Sequence, residues 1–135
     1  VSKTSGLGWT TLSVDDASGT PQAIKNDFTS VEISTPREVW EITGIDKSAK
    51  ERLLLLADFS VKMSGVFNPG ANASHSVFKT VPSTSVTRTV SLGVAGQSLS
   101  AEVLFGDYPL KRDDAGKLTF DVTGMLADGT VPVWS

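Results

Sequence analysis

Between residues 57 and 64 the side chains alternate without a break: Ala57, Phe59, Val61 and Met63 are apolar, and Asp58, Ser60, Lys62 and Ser64 are polar. A period of two marks a strand whose faces meet different surroundings, one a core and the other water. The pattern returns twice. Val90, Leu92 and Val94 alternate with Thr87, Thr89 and Ser91, and Leu99, Ala101, Val103 and Phe105 alternate with Ser98, Ser100 and Glu102. Ala95 and Gly96 stand between these two runs as a tight turn, which makes them a hairpin.

Shorter signals extend the same reading. Residues 9–15, rich in Trp, Thr and Val, read as a strand ending in the turn formers Asp15, Asp16, Ser18 and Gly19. Residues 37–43 read as another, stopped at Gly44. Residues 108–112 and 117–122 form a second hairpin across Asp113, Asp114, Ala115 and Gly116, with Pro109 placing its first strand at a sheet edge. Residues 77–81 read as a short segment ending at Pro82, and Pro69 followed by Gly70 suits a type II turn. Residues 20–35 read as a long loop or extended hairpin.

One helix is expected. Asp46 or Ser48 would cap it, Glu51 would complete a capping box, and Leu53, Leu54, Leu55 and Leu56 would follow. Four consecutive Leu cover most of a helix circumference, so this helix should be buried against the sheet or a neighbouring subunit. Together these elements predict a single domain over residues 1–135, mainly β. The expected architecture is an antiparallel two-sheet β-sandwich or flattened barrel with one short α-helix and long loops. The likeness of residues 40–45 to 120–125 reads as two strands sharing a Thr-Gly stop.

The chain of 135 residues is long enough to bury a core without staples, and it has no cysteine. Disulfide frameworks, thiolate metal sites and cysteine nucleophiles are therefore excluded. A net charge of −3 gives no drive toward a phosphate backbone. The longest apolar run, residues 53–57, is far below the ~20 residues that span a bilayer. The expectation is a soluble, unexported protein with no membrane partner.

Catalytic chemistry is sparse. The single histidine, His75, has Ser74 and Ser76 as chain neighbours, but neighbours along an extended chain point apart, unlike a nucleophile and its base. Asp15/Asp16 and Asp113/Asp114 lie in Gly-containing turns, where local hydrogen bonding accounts for them, and neither fits a calcium loop. Gly6 and Gly8 precede a strand rather than a helix, so no phosphate loop is present. Asn72 and Ser74 formally make a glycosylation acceptor. The reading is a protein that is not an enzyme, with no cofactor and no metal.

The order of features is similar to the major tail tube protein of long-tailed bacteriophages. The likeness is carried by Leu12 to Asp16 with its Gly turn, and by Ile42, Thr43, Gly44, Ile45, Asp46 and Lys47 leading to Asp58, Phe59, Ser60 and Val61. It continues through Gly65, Val66, Phe67 and Asn68, then Tyr108, Pro109 and Leu110, and finally residues 128–134. The resemblance implies hexameric rings stacked into a hollow tube in the virion tail, assembled in the host cytoplasm, through which DNA passes without specific binding. The implied partners are further copies of the chain and other tail proteins: tape measure, tail terminator and tail tip.

Three expectations about surfaces follow. The polar sets Asp58, Ser60, Lys62, Ser64, Thr87, Thr89, Ser91, Ser98, Ser100 and Glu102 are candidates to face the lumen, where six copies at −3 would bring −18 per ring. Asn26, Asp27, Phe28, Phe67, Asn68, Pro69, Gly70 and His75 are candidates for assembly loops. Edge strands are available to join neighbouring sheets. Two other readings stay open: a monomeric or oligomeric β-sandwich for binding or adhesion, and a tube subunit of a contractile injection system. An adhesion module would be expected to gather its aromatics in one patch, whereas Trp9, Trp40 and Trp134 are scattered along the chain.

Overall fold

The computed structural model describes residues 3–135; the sequence before the first expected strand, residues 1–8, reads as a flexible lead, and its residues 1 and 2 lie outside the described residues. Ten strands are present among the described residues: β1 Trp9–Asp15, β2 Pro21–Ala23, β3 Phe28–Ser34, β4 Arg37–Glu41, β5 Arg52–Ala57, β6 Ser60–Val66, β7 Arg88–Val94, β8 Gln97–Phe105, β9 Leu110–Arg112 and β10 Leu118–Leu126. One helix, α1 Ser74–Phe78, joins them. Eight strands make one antiparallel sheet in the order β2-β1-β7-β8-β10-β6-β3, with β9 on β10, and β4 and β5 form a separate two-stranded sheet. No helix among the described residues is long and apolar enough to cross a membrane.

The large sheet folds over a single core. Leu12 and Val14 of β1, Val90 and Leu92 of β7, Val103 and Phe105 of β8, Phe120 and Val122 of β10, and Val61 and Met63 of β6 belong to one buried cluster. Side chains from both ends of the sheet can meet only if the sheet turns back on itself, so the two halves, β2-β1-β7-β8 and β10-β6-β3, lie face to face. They join where β8 and β10 pair across Val103, Leu104 and Phe105. At the opposite side, Trp9 and Leu12 of β1 and Phe28 and Val31 of β3 border one shallow pocket, so the seam stays open. This is the expected flattened barrel, and each period-two run places its apolar set in the core except at one end, where Ala57 falls in β5 and Val94 at the β7–β8 turn is only half-buried. Close packing shows in β6, where a Cβ on Gly65 would stand 2.2 Å from the Asp27 carbonyl. Ala95 and Gly96 both take positive φ in the β7–β8 turn, as the hairpin requires.

The expected helix at Leu53, Leu54, Leu55 and Leu56 is a strand instead. β5 pairs with β4 through Trp40 to Leu53 and Val39 to Leu54, and the supposed caps form the loop between them. Thr43 closes that loop: its hydroxyl accepts the Glu51 N–H (3.0 Å), and Ile42 donates to the Glu51 carbonyl (2.9 Å). A four-Leu helix needs walls around it, and this segment stays exposed, with only residues 129–134 bordering Leu55 and Leu56. An adjacent strand rich in β-formers supplies backbone partners instead.

The helix lies elsewhere, at residues read from the sequence as a loop and a short extended piece. Five residues are too few to hold a helix alone, and side chains distant in sequence, one from the turn before β3 and one from β7, satisfy both its ends. The Asp27 carboxylate accepts the Ser74 N–H (2.9 Å) at one end. At the other, the buried Arg88 guanidinium donates to the Val77 carbonyl (2.8 Å), as well as to Asp15 O (3.0 Å) and Thr80 Oγ1 (3.1 Å). Residues 20–35 are likewise not a long loop, since β2 and β3 occupy most of them and β3 pairs with β6 from Phe28 to Ser34. Gly70 is not among the residues with positive φ, so the expected type II turn gives way to a loop in which its N–H donates to the Asn68 side chain (3.0 Å).

Candidate assembly surfaces

The polar sets singled out in the sequence divide between two surfaces that point in opposite directions. Thr89 and Ser91 of β7 and Ser98, Ser100 and Glu102 of β8 share the outer face of one half of the sheet. The register places Ser91 opposite Ser100 and Thr89 opposite Glu102. Thr11 and Ser13 of β1 extend this face, Ser13 lying opposite Ser91. Ser60, Lys62 and Ser64 of β6 lie on the outer face of the other half, beside Ser34, Glu32 and Ser30 of β3 and Met125, Thr123 and Asp121 of β10. Because one core lies between the halves, both faces cannot line one channel. Asp58 and Thr87 belong to neither, as they lie outside the strands, and Asp58 turns its carboxylate to the Phe59 N–H (2.7 Å).

The faces differ in charge. Glu102 is the only ionisable residue among the seven named on the β1-β7-β8 face, and its carboxylate takes the Thr89 hydroxyl. The β6-β3-β10 face mixes Lys62, Glu32 and Asp121 and adds exposed Met125 and Val66, with Ser64 donating to Asp121.

A third surface is apolar. The ribbon of β4 and β5 leaves the body through a narrow neck where Asp58 donates its N–H to the Pro36 carbonyl (2.9 Å). Val39, Leu54 and Leu56 lie on one side, and Trp40, Leu53 and Leu55 on the other. All are exposed, Trp40 by 58%, Leu54 by 59% and Leu56 by 87%, and Ile45 stands free in the loop. Two isolated strands are marginal in water, and here neither face has a core to rest on. The sequence reading gave the four Leu a buried place and gave Val39, Trp40 and Ile45 no surface role. The available signal was the apolar content of 37–43 and 53–56 as two runs flanking a polar loop.

Several expected loop residues turn inward. Asp27 is buried and also accepts from the Asn68 side chain (2.8 Å), while Phe28 stacks edge-on against Phe120 at 5.4 Å. His75 belongs to α1. Its ring lies 4.7 Å from that of Phe67, and its Nδ1 is 3.2 Å from the Tyr108 hydroxyl. Burial, with a smaller contribution from the Asp27 charge, pushes the Tyr108 phenol above its usual range. Asn26, Pro69 and Gly70 remain exposed.

The arrangement offers little for catalysis. Ser76 donates to the Ala73 carbonyl (2.8 Å) and the Ser74 hydroxyl is buried, so neither is engaged by His75. Asp16 accepts the N–H groups of Thr20 and Ser18 in its turn; the Thr20 bond chiefly holds its carboxyl below the ordinary range. Asp113 accepts from Lys117 N–H in the same manner (2.8 Å). Burial lowers the Arg88 pKa against the opposing pull of Asp16 and Asp15. No group of three or more His, Cys, Asp or Glu among the described residues could hold a metal ion.

Fold and surfaces together define a β-sandwich with a solvent-exposed apolar ribbon. No known protein family and no curated protein matches this sequence. Solved structures do share the fold. A chain in the virion of a native gene transfer agent particle superposes with a TM-score of 0.77 at 12% identity, covering 98% of this chain and 99% of that one. A chain from the tail of an empty gene transfer agent particle with C6 symmetry gives 0.73 at 14% identity, with the same coverage.

Proposed function

We propose that this chain is a structural subunit of a tail tube, assembling as hexameric rings that stack around a channel for DNA. The observation that carries the reading is the apolar ribbon β4–β5, which its own chain leaves largely exposed, with only residues 129–134 bordering Leu55 and Leu56, and which other subunits would cover. Covering it would stabilise an assembly substantially, since each fully buried Leu contributes about 1.5–3 kcal/mol. The match, end to end, to a chain of a C6-symmetric tail supports six copies per ring.

Within this reading the β1-β7-β8 face is the channel wall. It is rich in small hydroxyls, and Glu102 makes it weakly acidic, so it would pass a phosphate backbone without holding it. The β6-β3-β10 face, with its mixed charges and exposed Met125 and Val66, faces away. The ribbon, which springs from β3 and β6, carries contacts to adjoining subunits, and Asn26, Pro69 and Gly70 add polar contacts at the opposite end of the same two strands. Tape measure, terminator and tip proteins are the remaining partners, in a virion tail assembled in the host cytoplasm. Nothing in this role calls for catalysis or a cofactor.

Negative-stain electron microscopy and light scattering of the purified chain test the proposal. Rings or tubes in multiples of six are expected, and a stable dimer closed by a two-fold axis would overturn it.

A further inference from the structure

Strand β8 has a partner along only part of one side. β7 pairs with residues 97–103, whereas β10 pairs only with 103–105. Antiparallel alternation aims the N–H and C=O groups of Ser98, Ser100 and Glu102 away from β7. Residues 127–135 lie along this open edge without forming a strand. Ala127 donates to the Glu102 carbonyl (3.0 Å) at one end, and Ser135 and Ser98 exchange two backbone bonds (2.9 and 2.8 Å) at the other.

Between these anchors the segment bows outward. Nine residues span a stretch that five of β8 cover, and the excess is taken up by a local turn in which Thr130 N–H donates to Asp128 Oδ1 (3.0 Å) and Gly129 adopts φ 74°. Ser100 is left between the anchors with no backbone bond to the segment. Val131, Val133 and Trp134 are exposed along the bow. The edge is therefore occupied but only partly satisfied. An extended strand laid in the same place would bond Ser98, Ser100 and Glu102 alike.

We propose that residues 128–135 are a displaceable strap that shields the β8 edge in the free subunit and yields it, on assembly, to an extended strand of a second copy. The proposal rests on the tube reading and adds its regulation. A second copy is the fitting occupant because the same half-sheet ends on its far side in a different edge, β1 beside the three-residue, proline-bearing β2. Two unlike edges of one sheet are what a head-to-tail ring needs. The strap also answers the hazard of an open edge, which in a free subunit would invite uncontrolled pairing.

The test uses the absence of cysteine from the chain. The Ser98 and Ser135 hydroxyl oxygens are 3.2 Å apart, so the double variant Ser98→Cys/Ser135→Cys places two thiols for a disulfide that locks the strap. Assembly is followed by light scattering and electron microscopy, with wild type and a chain ending at Ala127 alongside. The oxidised variant should remain unassembled and the reduced one should assemble as wild type does. The shortened chain should associate at a concentration at least about tenfold lower, equivalent to ~1.4 kcal/mol. Equal assembly of oxidised and reduced variants would overturn the strap and leave the tube reading intact. A wild-type chain that stays monomeric while the shortened one associates would support the strap and count against the tube. All chains monomeric would overturn both.

Discussion

The ribbon β4–β5 and the strands β6, β7 and β8 have much the same β-forming content but opposite relations to water. In the three long strands nearly every second side chain is buried, most of them in a common core, and the intervening Ser, Thr and charged residues face outward. In the ribbon, both faces are apolar and both are exposed. The difference shows that a strand's faces are assigned by what lies opposite them. The long strands complete one another within one chain, while the ribbon is left largely uncovered by its own.

The strongest way to break this contrast is to place one charge in each region. Val61→Asp in β6 should cost several kcal/mol and leave little folded protein, because an unpaired carboxylate would replace a core methyl pair. Leu54→Asp should change stability by no more than about 0.5 kcal/mol. Urea denaturation checks both, and comparable losses would mean that the ribbon is already covered in the free subunit.

Assembly should invert the ranking. Leu54→Asp and Trp40→Ala, on opposite faces of the ribbon, should each raise the concentration needed for tubes at least about tenfold, the equivalent of ~1.4 kcal/mol. A loss confined to one of them would show that only one face is covered.

Labelling sharpens the assignment of the two polar faces. With single cysteines at Ser60 and Ser100, intact tubes should shield residue 100 from a bulky maleimide while a small one reaches it, and residue 60 should not show this selectivity. The reverse result would make the β6-β3-β10 face the channel wall.

The smallest effect concerns Tyr108. Its phenol is raised above the ordinary value of 10.0, chiefly by burial, so the stability it contributes is complete below that pH and is lost as pH rises through the folded-state value. Tyr108→Phe should remove this alkaline component and, with it, the hydrogen bond to His75. An unchanged alkaline melting profile would show that the phenol is already free to ionise.

Sequence reasoning reached the core strands because alternation is a local signal with a single geometric meaning. Leu99 to Phe105 and Val61 to Met63 needed no knowledge of the fold to be placed. It failed where a local signal had two meanings. The run from Leu53 to Leu56 after Asp46 and Ser48 satisfies a capped helix and a hairpin arm equally, and only the absence of surrounding walls decides between them. Ser74 to Phe78 failed for the opposite reason. Its helix depends on Asp27 and Arg88, distant in sequence, and carries no capping pattern of its own. The polar candidates were legible as a set, but their separation onto opposing faces follows from the return of the sheet, which no single strand records.

The neck at Pro36 and Asp58 has a mechanical consequence. The ribbon is joined to the body by two chain passages and one backbone bond across them, while the body is held by a continuous sheet and a shared core. Stress applied to the ribbon would be relieved by rocking at this joint long before the sandwich deformed. A stack whose contacts were carried on such levers would combine stiff rings with compliant spacing, and could curve while each ring kept its bore.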